Sequence, residues 1–197
     1  MAAAAAAALM FASGGLAQAQ TAAAAAPNVT HGAPIPGVCV FSTQQAVGTS
    51  TVGKYVGTRM QQIAAQVDAE LAPERTAIET EAKTLDAQKA TMDQKTLQTR
   101  ATALQTRANA WQQKVAQRQR ELEATQQKAF IRVGQEMNPI VIQAYQTNRC
   151  SILLERDNVI LANPAMDLTP TVIAGVNAKI QQFAFDREVL PAQQQGQ

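Results

Sequence analysis

Residues 58–133 read TRMQQIAAQVDAELAPERTAIETEAKTLDAQKATMDQKTLQTRATALQTRANAWQQKVAQRQRELEATQQKAFIRV, and this stretch decides the fold. From Thr58 to Val133 it contains no glycine and a single proline, Pro73. Ala, Gln, Thr, Lys, Arg and Glu dominate it, and most of these lose little side-chain freedom in a helix. Short β-like runs stand on either side, Val38-Cys39-Val40-Phe41 before and Ser151-Ile152-Leu153-Leu154 after. A long helical insertion between two strands suits a protein that reaches out and holds something. A catalytic domain would instead need a closed cleft.

The apolar positions of the insertion have coiled-coil spacing. Ala64, Leu71, Ile78, Leu85 and Met92 recur every seven residues, with Met60 and Val67 as the second seam position near the base. Further out Glu74, Glu81 and Gln88 take that second position. In the second half Leu97, Leu104 and Trp111 form one series, and Ala101, Ala108, Val115 and Leu122 the other. The register shifts between Met92 and Leu97, which predicts a turn near Thr91 to Lys95. The expected object is a helical hairpin over residues 57–137, with arms of roughly 50 to 60 Å. It should be firm at the base, where Trp111, Val115, Leu122, Phe130, Ile131, Val133 and Met137 thicken the seam, and thin at the tip. Pro73, Gly134 and Pro139 are candidate hinges, because each weakens a helix, and each is equally well read as ordinary punctuation.

Composition restricts the rest. Only 4% of the residues are aromatic and 16% charged, and alanine supplies much of the 46% apolar count, so thin helix-on-helix packing is expected over one thick core. The net charge of +2 is too small to point to nucleic acid. Charge is segregated, however. Between Lys83 and Arg120, eight basic residues face only Asp86 and Asp93, whereas Asp68 to Glu81 holds five acids and one arginine. A basic tip built on Lys83, Lys89, Lys95, Arg100 and Arg107 would attract acidic chains, anionic lipid or lipopolysaccharide, unless it is simply a solvated surface.

Met1 to Leu16 is alanine-rich with Leu9, Met10 and Phe11, and Ala17-Gln18-Ala19 fits a signal-peptidase site. Residues 1–19 therefore read as an export signal, although no Lys or Arg follows Met1; the alternative is a disordered Ala-rich tail. Residues 20–37 read as a flexible leader. Cys39 and Cys150 stand at the two ends of the insertion, and in an exported chain they fit one disulfide, the alternative being two free buried thiols.

The remaining segments, residues 38–56 and 138–182, are expected to form a small β-rich body, followed by a tail at 183–197. Ile152-Leu153-Leu154 and Val159-Ile160-Leu161 read as two short strands joined at Arg156-Asp157-Asn158. Thr169 and Pro170 read as the N-cap and first residue of a closing helix with Val172, Ile173, Val176 and Ile180 on its apolar face. The fold class is thus α+β, a small sheet carrying a long hairpin. A sheet of about three short strands is too small to stand comfortably alone, which points to oligomerisation.

Both flanks of the insertion carry a family pattern. Gly37-Val38-Cys39-Val40-Phe41, Gln44-Gln45-Ala46-Val47 and Thr51-Val52-Gly53-Lys54 resemble the opening of the OmpH/Skp family of periplasmic chaperones. Ile152 to Asn163 resembles its strand pair, and Asp167-Leu168-Thr169 with Val172-Ile173 the start of its closing helix. The resemblance covers about Gly37 to Ile180. It implies a homotrimer whose three tentacles enclose unfolded outer-membrane proteins in the periplasm, without ATP or any cofactor. In such a trimer Val38, Val40, Ile152, Leu154, Val159 and Leu161 are the expected core of the body. The cysteine pair, Pro73 and the tail depart from the family pattern.

Other classes are weaker. Gly48 to Lys54 mimics a phosphate loop, but Tyr55 stands where magnesium binding needs Ser or Thr. His31, the one histidine, lies in the leader, so no histidine-based catalytic or zinc site is expected in the body. The chain does not read as an enzyme. A structural adaptor or spacer of the cell envelope, with a hairpin between β segments, is the main competitor, though such adaptors carry more β sequence. A nucleic-acid- or lipid-binding coiled coil is the third class, and the aromatic interleaving of single-strand binders is missing.

Overall fold

Two serines and an aspartate begin the first three helices. Ser42 caps α1 (Thr43–Thr49) by accepting from the Gln45 amide, and Ser50 caps α2 (Thr51–Gln88) by accepting from Gly53. Asp93 caps α3 (Gln94–Thr147) by accepting from Thr96. Each satisfies an amide the first turn cannot pair internally. In this computed structural model residues 29–191 are described. The chain divides after His31 into two units; residues 29–31 have no regular structure, and every helix and strand belongs to the second unit. The expected export signal and most of the leader lie outside the described residues, as do residues 192–197.

The elements run β1 (Val38–Phe41), α1, α2, α3, β2 (Ile152–Glu155) and α4 (Thr169–Lys179), with single 3-10 turns at Arg156–Asn158 and Pro164–Met166. The hairpin is longer than expected at its base. α2 has 38 residues and α3 has 54, so α3 continues through Gly134 and Pro139 to Thr147. Pro73 likewise sits inside α2 without ending it. The body is in consequence mostly helical rather than β-rich. The connection between the arms is Lys89 to Asp93, overlapping the expected turn and placed by the Asp93 cap rather than by Gly or Pro.

Among the described residues the sheet has two strands, not three. β1 and β2 pair in parallel, with Val38 opposite Ile152 and Val40 opposite Leu154. A single bridge joins Val40 to Asp167 on the other side, where the Leu168 amide donates to the Val40 carbonyl at 2.8 Å. The strand expected at Val159-Ile160-Leu161 does not form. The chain coils into a 3-10 turn first, and among the described residues no strand edge meets the run, so Ile160 is 97% and Leu161 67% exposed. β propensity without a partner ladder yields no strand.

Two glycines are fixed by geometry. Gly37 has φ +81°, and its carbonyl accepts from both Ser151 and Ile152, which sets the start of the parallel pair. A side chain at Gly53 would come within 1.7 Å of the Val47 carbonyl oxygen. The glycine of the apparent phosphate loop is therefore where α2 packs against the backbone of α1.

The core gathers Val40, Ala46, Val52, Val56, Val133, Met137, Val172 and Val176, drawn from β1 and all four helices. On α3 the fully buried positions from Glu121 to Met137 step by four: 121, 125, 129, 133, 137. Four residues advance about 40° beyond a full turn, so the buried face rotates around α3 as it descends. The helix faces its partner arm above and the remaining body elements below. Thr169 is the first residue of α4 rather than its N-cap, and its hydroxyl instead accepts from the Ser42 amide at 2.9 Å.

Candidate functional site

The chain's most extended surface is the hairpin. At 1.5 Å per residue α2 measures about 57 Å. The arms are antiparallel, and polar pairs fix their register: Arg118 with Glu70 (2.7 Å), Lys114 with Glu74 (3.5 Å), Arg107 with Glu81 (3.4 Å) and Arg100 with the Gln88 side chain (3.1 Å). The Trp111 indole N–H reaches the Leu71 carbonyl at 3.4 Å. Ile63, Val67 and Leu71 are buried between the arms, but beyond Leu71 only Leu85 on α2 is buried, and no residue of α3 before Glu121 is. Near Pro73 an open groove of about 540 Å³ runs between the arms, lined by Ala69, Leu71, Ala72, Trp111 and Val115.

The basic tip is less free than its sequence suggests. Arg107 and Arg100 are engaged across the hairpin, and Lys89 pairs with Asp86 at 2.7 Å, which raises the lysine's pKa. Lys83 and Lys95 are exposed and make no ion pair among the described residues. The segregated charges thus largely hold the arms in register, a role that the run of basic residues alone did not reveal.

Residues 183–191, expected as part of a tail, instead form an extended strap laid along the lower half of the hairpin. Phe183 and Phe185 pack on each other with ring centroids 5.4 Å apart and on Tyr55 of α2 at 6.5 and 6.4 Å. Asp186 pairs with Arg59 (2.6 Å) and Glu188 with Lys128 (2.8 Å). Arg187 bridges the arms, 2.8 Å from Glu70 on α2 and 3.4 Å from Glu121 on α3. Glu121 is fully buried, and its carboxylate also takes Arg118 at 3.0 Å and Gln117 at 3.2 Å. Hydrogen bonds from Arg118, then from Arg187, hold the Glu70 carboxyl at a pKa of about 2. Neither Glu121 nor Arg187 was expected as a site residue. Glu121 stands next to the seam position Leu122 and gave no sequence signal of its own, but the alternation Phe183, Phe185, Arg187 was readable as an extended segment.

The body has its own unsatisfied surface. Val40 is buried and Val38 half-buried, but Ile152 is 53% and Leu154 39% exposed, Val159 is half-buried, and Leu161 faces solvent. Of the six residues expected to form the core, the single chain encloses only Val40. Leu154 lines an open groove of about 380 Å³ with Phe41, Gly134, Met137, Val141 and Leu153. A side chain added at Gly134 would meet nothing within 4 Å. Cys39 and Cys150 form a disulfide, Cα–Cα 5.8 Å, joining β1 to the segment just after α3. No helix among the described residues is long and apolar enough to cross a membrane, and none of their acidic, histidine and cysteine side chains cluster as a metal site.

Residues 32–191 form a long two-helix arm on a small stapled body, with apolar residues left outside on the body, which is the arrangement of a tentacled protein. Comparison with known proteins places it further. The sequence profile of the OmpH family, described as outer membrane protein (OmpH-like), matches residues 37–176, and the chain belongs to that family. A crystal structure of an OmpH-like outer membrane chaperone candidate from Caulobacter crescentus CB15 is 53% identical to it. That match covers 84% of this chain and 98% of the other, with a TM-score of 0.76. No curated protein sequence matches.

Proposed function

We propose that the chain is an ATP-independent holdase chaperone of the periplasm, which encloses unfolded outer-membrane proteins between helical tentacles and keeps them from aggregating. The observation that carries this reading is the free arm. From Ala72 to Gln88 the hairpin extends about 26 Å beyond the described part of the strap with only Leu85 buried on its first helix. Such an arm offers many shallow contacts and no single deep pocket, which suits clients of varied sequence. Family membership and the likeness to the Caulobacter protein support it.

The working unit in this reading is a homotrimer. Ile152, Leu154, Ile160 and Leu161 are large apolar residues that one chain leaves in water. Fully burying an exposed side chain of this size is worth about 1.5–3 kcal/mol, and less for Ile152 and Leu154, which one chain already covers in part. Capture by several arms at once makes affinity multivalent. Lys83 and Lys95 at the tip add attraction for acidic clients, anionic lipid or lipopolysaccharide; nucleic acid is not proposed as a partner. No cofactor and no catalytic step enter the mechanism.

The test is light scattering while a urea-unfolded outer-membrane barrel protein is diluted, with and without the chain and with no ATP. Suppressed aggregation is the expected result. Unchanged aggregation beside a folded chain would favour the structural adaptor of the envelope instead.

A further inference from the structure

The strap differs from the rest of the molecule in how it is held. It follows α4, and the family match ends at residue 176, before it begins. It is extended but pairs with no strand. Its main chain is held by side chains of the hairpin. Arg59 Nε donates to the Phe185 carbonyl (3.3 Å), and Gln117 Nε2 donates to the Leu190 carbonyl (3.1 Å). The Glu188 amide donates to Thr125 Oγ1 (2.9 Å), and the Leu190 amide to Glu121 Oε1 (3.4 Å). Bonds to main chain fix a conformation and are indifferent to most side chains, as in sites that bind extended peptides.

Specificity comes from alternate positions. Phe183, Phe185 and Arg187 turn toward the hairpin and are half-buried, whereas Ala184 and Asp186 are exposed; Glu188 is half-buried as well, so the alternation shifts phase there before exposed Val189 and half-buried Leu190. The strap does not fill its bed. An open groove of about 610 Å³ lies between it and α3, lined by Ala129, Ile131, Arg132 and Gln135 beside Phe183 and Phe185. From Phe183 to Arg187 the hairpin thus carries a track for an extended segment with every second residue turned inward, aromatic at the first two positions and cationic at the third.

A strand of an outer-membrane barrel alternates apolar and polar over about 10 residues with aromatic residues near its ends, and its aromatic end matches the Phe183-Ala184-Phe185 part of the strap. We propose that the strap occupies a peptide-binding track, and that an alternating, aromatic-bearing segment of an unfolded barrel client displaces it. This rests on the holdase reading and names the part of the client that is recognised. A tethered strap competes at an effective concentration on the order of millimolar. A short isolated peptide therefore loses to it, and a client carrying many alternating segments, met by several arms, wins. The strap sets a threshold that admits unfolded barrels and excludes stray apolar peptides.

Two measurements test it on the full chain. The first is the affinity of a fluorescent ten-residue peptide with phenylalanine at alternate positions, against an isomer with the same residues grouped. Phe183→Ala/Phe185→Ala weakens the strap and leaves the track intact, so the alternating peptide should bind at least tenfold more tightly than to the unaltered chain, and the grouped isomer should not. Equal affinity for the two chains, or for the two peptides, overturns the proposal. The second, which decides if that variant does not fold, is amide hydrogen exchange of the unaltered chain with a urea-unfolded barrel protein. The amides of Glu188 and Leu190 should exchange faster with client present while those of β1 do not. Aggregation suppressed with the strap amides still protected overturns displacement and leaves the holdase standing. Peptide binding without any capture of the client keeps the track and overturns the holdase.

Discussion

Arg187 lies 2.8 Å from Glu70 on the first arm and so ties the chain's C-terminal segment to the middle of α2, 117 positions away. The same guanidinium reaches the fully buried Glu121 on α3. With Arg118 it completes a set of two arginines and two glutamates that locks strap and arms together.

Removing Arg187 should therefore cost more than an ordinary surface change. Arg187→Ala leaves Glu121 buried with Arg118 as its one remaining cation. The expected loss is about 1–3 kcal/mol, the usual cost of a buried polar group that loses a partner. Arg187→Lys should recover only part of it, since one ammonium cannot reproduce a planar fork spanning two carboxylates. Urea unfolding read by circular dichroism measures both. A loss under about 0.5 kcal/mol for Arg187→Ala would mean that the strap is not clamped.

The clamp should also open in acid. Glu70 is held at a pKa of about 2, below its ordinary 4.5, chiefly by the hydrogen bond from Arg118 and then by that from Arg187. A carboxyl whose folded pKa is depressed contributes stability that is fully present above its unfolded pKa and is lost as pH falls through the folded one. The window is thus from about 4.5 down to about 2. Asp93, bonded by Thr96, and Glu136, bonded by Lys179, are lowered too and act in the same direction. Stability measured against pH should fall across this window, and less steeply in Glu70→Gln. An identical slope in the variant would mean that Glu70 contributes nothing to it.

The sequence carried the architecture well and the support of the hairpin poorly. Heptad spacing made the two arms legible, because burial along a helix pair imprints a period on the residues. The Cys39–Cys150 pairing was legible because both cysteines flank the insertion, and the disulfide is present. The Val159-Ile160-Leu161 run misled, because strand propensity says nothing about whether a partner edge exists. Its Ile160 is left exposed instead. Glu121 could not have been found, since its burial depends on Arg187, which is distant in sequence and meets it only in the fold. The arm ends were misplaced because Gly134 and Pro139 weaken a helix locally, while packing on α4 and β1 carries α3 through them.

The disulfide closes a loop with a sequence separation of 111. In the chain-entropy model this restrains the unfolded chain by about 4–5 kcal/mol. Cys39→Ser/Cys150→Ser should lower the unfolding free energy by an amount of that order. Helix content at neutral pH should be nearly unchanged, because the staple lies in the body and not in the arms. A change below about 1 kcal/mol would contradict its role as the staple of the body.

At the tip, Lys83 and Lys95 are the exposed lysines left without an ion pair among the described residues. Lys83→Glu/Lys95→Glu should leave stability within about 0.5 kcal/mol, as is usual for surface positions. Capture of an acidic client should slow and become less sensitive to salt, since the attraction that salt screens has been removed. Association rates at low and high salt check this. Unaltered rates would make these lysines solvated bystanders.

Gly134 offers a sharper view of the hinge. It sits in open space inside α3, so Gly134→Ala should stabilise the helix by about 1 kcal/mol and raise the melting temperature. A fall would show that another chain packs closely on that face. Either result leaves the arms themselves intact.

The most direct measurement is the mass, by light scattering on a sizing column, of the full chain alone and with an unfolded outer-membrane barrel protein. A tentacled trimer gives three chains per particle without client, and the same three chains plus one client in the loaded particle. A monomer that carries no client would contradict it.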